Sequence, residues 1–211
     1  MGMVESVKKS GTVVLHRSEW HWWDQQILQW VIDSINENNH VNFILHLTEM
    51  RLSLEPTAIY LATKRATEED LEEIKRCILK LEQSIDNLDQ WAIADYKFHL
   101  SLVKASHNYL MINTLTKLNK ALVYSRKKTY GKLNNQIKSN EIDYDSYKKH
   151  VEIYEAMVEK NADKAKGIIE EILKKVYELI EKEIMSIDDN KYTNKDGNKS
   201  DEAPLGISVK S

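Results

Sequence analysis

DQWAIADYKFHLSLV, residues 89–103, carries the strongest structural signal in this chain. Asp95 and His99 lie four residues apart within it, so a helix stacks their side chains on one face, about one turn apart. The apolar residues around them recur at helical spacing: Trp91, Ile93, Phe98, Leu102 and Val103. The stretch therefore predicts an amphipathic helix that carries two polar side chains of chemical interest.

Asp95 and His99 can hold one divalent metal ion between a carboxylate oxygen and an imidazole nitrogen. A second histidine, His150, lies in a later segment that also has an apolar helical face. An aspartate and a histidine at this spacing are also common as a plain hydrogen-bonded pair. The spacing leaves both a metal site and a metal-free pair open.

The composition is that of a mostly helical protein. The 211 residues are 42% hydrophobic, enough to build a core, and include only 6 glycines and 2 prolines. Cys77 is the single cysteine, which excludes an internal disulfide and a cysteine-based zinc cluster. The net charge of −3 lacks the basic balance of a free-standing nucleic-acid-binding protein.

The chain shows no sign of membrane insertion or secretion. No apolar run approaches the roughly 20 residues that a membrane-spanning helix needs. The N-terminus lacks the apolar segment of a signal peptide. We therefore predict a soluble cytoplasmic protein.

The hydrophobic periodicity predicts one all-α domain, an antiparallel bundle of about six to seven helices. We assign residues 20–187 to this helical domain. Residues 1–19 lack helical periodicity, and the run from Thr12 to Leu15 is typical of a short strand. Residues 188–203 are almost wholly polar, so we predict a disordered tail over 188–211.

Local signals predict several boundaries. Thr67 begins a capping signal, and Asp89 is expected to cap the helix that carries Asp95. Pro56 is expected to kink or split its helix. One helix is expected from about Tyr109 to Tyr130. The tryptophan patch near the N-terminus is expected to pack the first helix onto the main body; its members are Trp20, Trp22, Trp23 and Trp30.

Five short motifs occur together in the order and at the spacing of one known family. They are Glu49-Met50-Arg51 followed by Leu54-Glu55-Pro56; Ala62 leading into Arg65 to Leu71; Asp95 to His99; Ala105 to Asn108; and His150 to Ala156. From about Trp20 to Glu183 the chain resembles the effector-binding FCD domain of the FadR branch of GntR-type bacterial transcription regulators. Ser10 to Val14 resemble the last strand of the wing in a winged helix-turn-helix.

The resemblance implies a metal site inside the bundle, formed by one aspartate and three histidines. Asp95, His99 and His150 match the first three positions. The fourth falls at Ile172, which cannot bind a metal. Three protein ligands together with water or an effector oxygen still suit Zn²⁺ or a similar ion, although the missing ligand weakens the site. A metal-free hydrogen-bond network of the same three residues stays open.

The resemblance also implies that the effector is a small carboxylate or sugar acid. Arginine suits this chemistry because its planar guanidinium pairs with a carboxylate through two hydrogen bonds. Arg51 of the Glu-x-Arg motif is the first candidate and Arg126 is the second. Asn108 and Ser125 are further candidates for hydrogen bonds to the effector.

Three of these candidates have structural alternatives. Arg51 can pair with a nearby glutamate. Arg126 begins the run Arg126-Lys127-Lys128, which can be a solvated basic face. Asn108 can cap a helix.

The predicted function is a ligand-sensing module and not an enzyme. The effector is expected to bias a homodimer between DNA-competent and incompetent arrangements. Most of the winged helix-turn-helix of such regulators is missing from the sequence, so operator DNA is expected to be a partner only through that N-terminal domain. The alternatives are a metal-dependent helical-bundle enzyme and a protein-interaction bundle.

Overall fold

The computed structural model describes residues 2–7, 11–34, 37–137 and 144–196. Within these ranges the chain forms eight α-helices and one two-stranded sheet, which confirms the all-α prediction. None of the described helices has a stretch long and apolar enough to cross a membrane. The strands are β1 (Val4–Val7) and β2 (Gly11–Val14), and the helices are α1 (Gln25–Ser34), α2 (Glu37–Arg65), α3 (Glu68–Glu82), α4 (Leu88–Lys104), α5 (Tyr109–Lys117), α6 (Asn119–Ile137), α7 (Tyr144–Val158) and α8 (Ala162–Asp196).

β1 and β2 form an antiparallel hairpin in which Val4 pairs with Val14. Gly11 begins β2 with a φ of 82°, a conformation that glycine adopts without steric cost. The strand predicted from Thr12 to Leu15 therefore lies in β2, shifted by one residue. A short 3-10 helix, Arg17–Glu19, connects the hairpin towards α1.

Trp22 attaches this connection to the bundle. Its indole Nε1 donates a hydrogen bond to the carbonyl of Arg17 at 2.9 Å. Its ring stacks on Phe43 of α2, with 6.5 Å between the centroids. Trp23, which precedes α1, and Trp30, on the face of α1 away from the bundle, are exposed. The prediction that the tryptophan patch packs onto the main body is confirmed for Trp22 and wrong for Trp23 and Trp30.

α2 continues without a break through Pro56, so the expected division of this helix is wrong. Proline lacks an N–H and removes one hydrogen bond from the helix. Packing offsets this loss, since α2 makes its most extensive contact with α8 along the bundle.

Two helix boundaries differ from the sequence prediction. The cap of α4 is Asn87, whose side chain accepts a hydrogen bond from the α4 backbone at 3.0 Å. Asp89 lies instead in the first turn, where its negative charge is favourable to the helix dipole. The single helix predicted from Tyr109 to Tyr130 is divided into α5 and α6, because the chain turns at Leu118 to bury that side chain.

α8 extends beyond the predicted end of the domain at residue 187. It continues to Asp196, and no glycine or proline lies between residue 187 and Gly197 to end it. The helix therefore enters the segment predicted as a tail. Residues 197–211 of that segment lie outside the described residues.

Two apolar cores lie on either side of α4. The first core gathers side chains of α2, α3, α4, α6, α7 and α8 and includes Trp91 and Phe98. The second gathers side chains of α1, α2, α4, α5 and α6 and includes Tyr96. Since α4 contributes to both cores, Asp95 and His99 are buried, with exposed fractions of 1% and 2%.

The capping box at the start of α3 generates a prediction about stability. Thr67 Oγ1 accepts a hydrogen bond from the Asp70 N–H at 3.2 Å, and Asp70 Oδ2 accepts one from the Thr67 N–H at 2.9 Å. This geometry confirms Thr67 as the cap. We expect Asp70→Ala to lower the free energy of unfolding by about 1 kcal/mol, because it removes half of the box. Urea denaturation measures the change.

Glu69→Ala is the matched control, since Glu69 is an exposed acidic residue of the same turn. Its expected effect is within about 0.5 kcal/mol. Equal losses in the two variants would contradict the capping role of Asp70.

Candidate metal centre

A group of buried polar side chains lies where α2, α4, α6 and α7 meet. On three of these helices the members are four residues apart and therefore share a face. None is more than 8% exposed. We call this group the polar cluster; it consists of Arg51 and Glu55 on α2, Asp95 and His99 on α4, Arg126 and Tyr130 on α6, and His150 on α7.

The carboxylate of Asp95 lies at the centre of the polar cluster. Its Oδ1 lies 2.9 Å from His150 Nε2 and 3.6 Å from His99 Nε2. The same oxygen accepts a hydrogen bond from the Tyr130 hydroxyl at 3.2 Å. Arg126 Nε donates to the other oxygen, Oδ2. The three residues selected as metal ligands from the sequence are thus brought together.

Both imidazoles are oriented by acceptors on their Nδ1 atoms. His99 Nδ1 lies 2.6 Å from Glu55 Oε2, and His150 Nδ1 lies 2.6 Å from the carbonyl oxygen of Ser146. A carboxylate and a carbonyl can only accept, so Nδ1 is the protonated nitrogen in each ring. In the neutral form of each ring, Nε2 therefore carries a lone pair that faces Asp95.

Three electron-pair donors consequently converge in a buried site. The two Nε2 atoms of His99 and His150 are 3.4 Å apart, and each lies close to Asp95 Oδ1. In tetrahedral zinc sites, with bonds of about 2.0–2.1 Å to histidine nitrogen, neighbouring ligand atoms are about 3.3 Å apart. The donor set therefore fits a divalent ion. Without an ion, an Nε2 must be protonated before it can donate to the carboxylate.

Neighbouring basic groups hold the carboxylates of the cluster in their ionised forms. Burial acts to raise the pKa of Asp95, but the His99 imidazole and the Arg126 guanidinium outweigh it and keep that pKa well below its ordinary value. Burial likewise acts to raise the pKa of Glu55, and the Arg51 guanidinium, whose Nε lies 2.7 Å from Glu55 Oε1, outweighs it together with His99. Burial and the nearby charge of Arg51 lower the pKa of Arg126.

Arg126 has one donor group without an acceptor among the described residues. Its Nε donates to Asp95, and its Nη1 donates to the carbonyl of Leu122 at 3.3 Å. Its Nη2 is buried and unpaired. A buried donor left unpaired costs about 1–3 kcal/mol. This atom is therefore suited to an acceptor oxygen supplied by a ligand.

Arg126 is 2% exposed, so its placement on a solvated basic face is wrong. The reason is that Leu122, one turn earlier on α6, is buried in the second core, and Arg126 lies on the same face of the helix. Ser125 precedes Arg126 on α6 and is 1% exposed. Ile172 is half-buried and packs against the first core.

The two other candidate ligand residues adopt the arrangements given as structural alternatives. Arg51 forms an ion pair with Glu55, one turn further along α2. Asn108 caps α5, where its side chain accepts hydrogen bonds from the N–H groups of Leu110 and Met111. Arg51 nevertheless belongs to the polar cluster, whereas the described hydrogen bonds of Asn108 lie at the start of α5. Effector binding by Arg51, Asn108 or Ser125 stays a prediction.

Glu55 and Tyr130 belong to the polar cluster but are not among the site residues predicted from the sequence. A signal was present, because Glu55 follows Arg51 by four residues and Tyr130 follows Arg126 by four. Such pairs face the same way on a helix. Their place in the site depends on the meeting of the helix faces of α2 and α6 that carry them, which the spacing does not show.

Known proteins resemble this chain in sequence over its helical part. A family model described as the FCD domain matches residues 46–175. The galactonate operon transcriptional repressor of Escherichia coli is 27% identical over 107 residues, which are 50% of this chain and 45% of that protein. The uncharacterized HTH-type transcriptional regulator YieP of Escherichia coli is 29% identical over 109 residues, 51% of this chain and 46% of that protein. The chain thus matches about half the length of these relatives.

Solved structures share the fold. The GntR protein of Streptococcus agalactiae has a TM-score of 0.56 at 22% identity, covering 84% of this chain and 75% of that one. A GntR-family regulator from Pseudomonas syringae pv. tomato has a TM-score of 0.53 at 17% identity, covering 91% and 67%. The relatives are transcription regulators and not enzymes. The FCD model matches more than half of the residues of this chain, which therefore belongs to the FCD domain family of GntR-type transcription regulators.

Proposed function

We propose that this chain is the effector-sensing part of a GntR-type regulator of the FadR branch, and that it binds a small organic acid beside a divalent metal ion. The observation that supports the proposal is the convergence of ligand atoms from Asp95, His99 and His150, which all lie within 4.8 Å of one another. All three side chains are buried. Buried polar groups that converge in this way are typical of a binding site.

The metal would be held by Asp95, His99 and His150. Glu55 and the Ser146 carbonyl orient the two imidazoles, as outer-shell partners do in metal sites. Zinc in such a site keeps a position open beyond three protein ligands. That position would accept an oxygen atom of the effector, and the ion would supply electrostatic attraction to it.

Two buried guanidinium groups favour a negatively charged effector. Burial and the charge of the Arg51 guanidinium both lower the pKa of Arg126, so the two positive charges repel each other. An anion bound near both would relieve this repulsion. The similarity to a repressor named for the galactonate operon supports a sugar acid as the effector class.

The sensing domain would comprise residues 20–187 and act in a homodimer. Operator DNA would be bound by a winged helix-turn-helix, of which the hairpin of β1 and β2 would be the wing. Binding of the acid would then change the relative population of two dimer arrangements.

A metal analysis combined with a thermal-shift screen tests this function. The purified chain would be measured for bound zinc and then heated with zinc and a panel of sugar acids and dicarboxylates. We expect one ion site per chain and a raised melting temperature with at least one acid, without turnover of that acid. Turnover would indicate an enzyme. The absence of both zinc binding and stabilisation would refute the proposal.

Replacement of Arg51 tests the effector contact. We expect Arg51→Ala to abolish the rise in melting temperature that the acid produces, because the carboxylate loses its guanidinium partner. Arg76→Ala is the matched control, since Arg76 is an exposed arginine paired with Glu73 on α3. Circular dichroism checks that both variants are folded. A folded Arg51→Ala variant that the acid still stabilises would contradict this role.

Replacement of His150 tests the metal contact. We expect His150→Ala to weaken zinc binding by about a hundredfold or more, since loss of even an outer-shell partner costs about 10–100-fold. Equilibrium dialysis with metal analysis measures the affinity. His107→Ala is the control, because His107 is half-exposed and pairs with Asp70 outside the cluster. Unchanged zinc affinity in folded His150→Ala would rule out this ligand set.

A further inference from the structure

We propose that Arg126 makes metal binding and acid binding at the polar cluster depend on each other. The inference rests on the proposed function and concerns the regulation of that same site. It is carried by three features of Arg126: its pairing with a metal-ligand carboxylate, its charge in a balanced buried cluster, and its unpaired donor.

The pairing of Arg126 with Asp95 opposes a metal that arrives alone. Arg126 Nε donates to Oδ2 of the carboxylate whose Oδ1 faces His99 and His150. Two positive charges would then share one carboxylate. Arg126 is 2% exposed, so solvent and salt screen the repulsion only weakly.

The charge balance of the polar cluster also opposes the binding of either ligand alone. The guanidiniums of Arg51 and Arg126 balance the carboxylates of Glu55 and Asp95 when both imidazoles are neutral. A divalent ion alone leaves a buried excess of positive charge, and an acid alone leaves an excess of negative charge. Uncompensated buried charge is strongly unfavourable. The two ligands together leave less excess than the ion alone.

The unpaired donor of Arg126 connects the two ligands. Nε is engaged with Asp95 and Nη1 with the Leu122 carbonyl, while the buried Nη2 lacks an acceptor among the described residues. The guanidinium also lies over the Tyr96 ring, 5.9 Å from its centroid. An acid oxygen that accepts from Nη2 would satisfy this donor and offset the repulsion between Arg126 and the metal.

Zinc affinity with and without acid measures the dependence. Equilibrium dialysis would give the Kd of zinc alone and in the presence of acetate, L-lactate or D-gluconate, with free zinc measured directly. The coupling factor is the ratio of the two Kd values. For the unmodified chain we expect at least one acid to tighten zinc binding by about 5- to 150-fold. By linkage, zinc must tighten the binding of that acid by the same factor.

Arg126→Gln is the decisive variant. It keeps a donor for Asp95 but removes the charge, so we expect zinc alone to bind about tenfold more tightly and the coupling factor to fall towards one. Arg126→Lys keeps the charge on a single nitrogen but lacks the planar guanidinium, whose Nη2 is a separate donor group. We expect zinc alone to bind Arg126→Lys as weakly as it binds the unmodified chain, with a reduced coupling factor. This second variant gives the test if Arg126→Gln does not fold by circular dichroism.

Two results would overturn the inference while leaving the proposed function intact. One is that no acid changes the zinc affinity of the unmodified chain. The other is an undiminished coupling factor in Arg126→Gln or Arg126→Lys, since a purely structural counter-charge for Asp95 would leave that factor unmoved. If neither zinc nor any acid binds the unmodified chain, the proposed function and the inference fail together.

Discussion

The buried carboxylate of Asp95 is the interaction on which the arrangement of this bundle depends. A carboxylate can be buried only if partners replace the water that it loses, and its partners here come from two other helices. Arg126 and Tyr130 come from α6, and His150 comes from α7. The need to satisfy one charge therefore fixes the relative positions of α4, α6 and α7, the helices that bring the candidate metal ligands together.

The apolar side chains around this carboxylate give the polar cluster its chemical character. Phe98 contacts both imidazoles edge-on, with its ring centroid 5.8 Å from that of His99 and 5.1 Å from that of His150. Trp91 packs against His150 from the first core. These rings exclude water, and a low local dielectric strengthens the interactions between charges. The packing that stabilises the fold thus also sets how strongly the site discriminates between ligand charges.

Much of the fold and part of the site could be predicted from residue spacing. The helical class and the capping box at Thr67 follow from local rules, and Asp95 with His99 stood out as a pair. The cap at Asn87 and the turn at Leu118 were missed, because competing local signals lay a few residues away and tertiary packing decided between them. Glu55 was missed for another reason: pairs four residues apart are common on any helix.

The sequence by itself determined which side chains share a helical face, because a helix repeats every 3.6 residues whatever surrounds it. That rule places Arg51 with Glu55 and Asp95 with His99. That these faces meet, and that Arg126 is turned inward to Asp95, follows from the packing of the helices against one another. The meeting of helices is set by apolar contacts and by the polar partners of Asp95, both between residues far apart in the chain, and no local spacing encodes them.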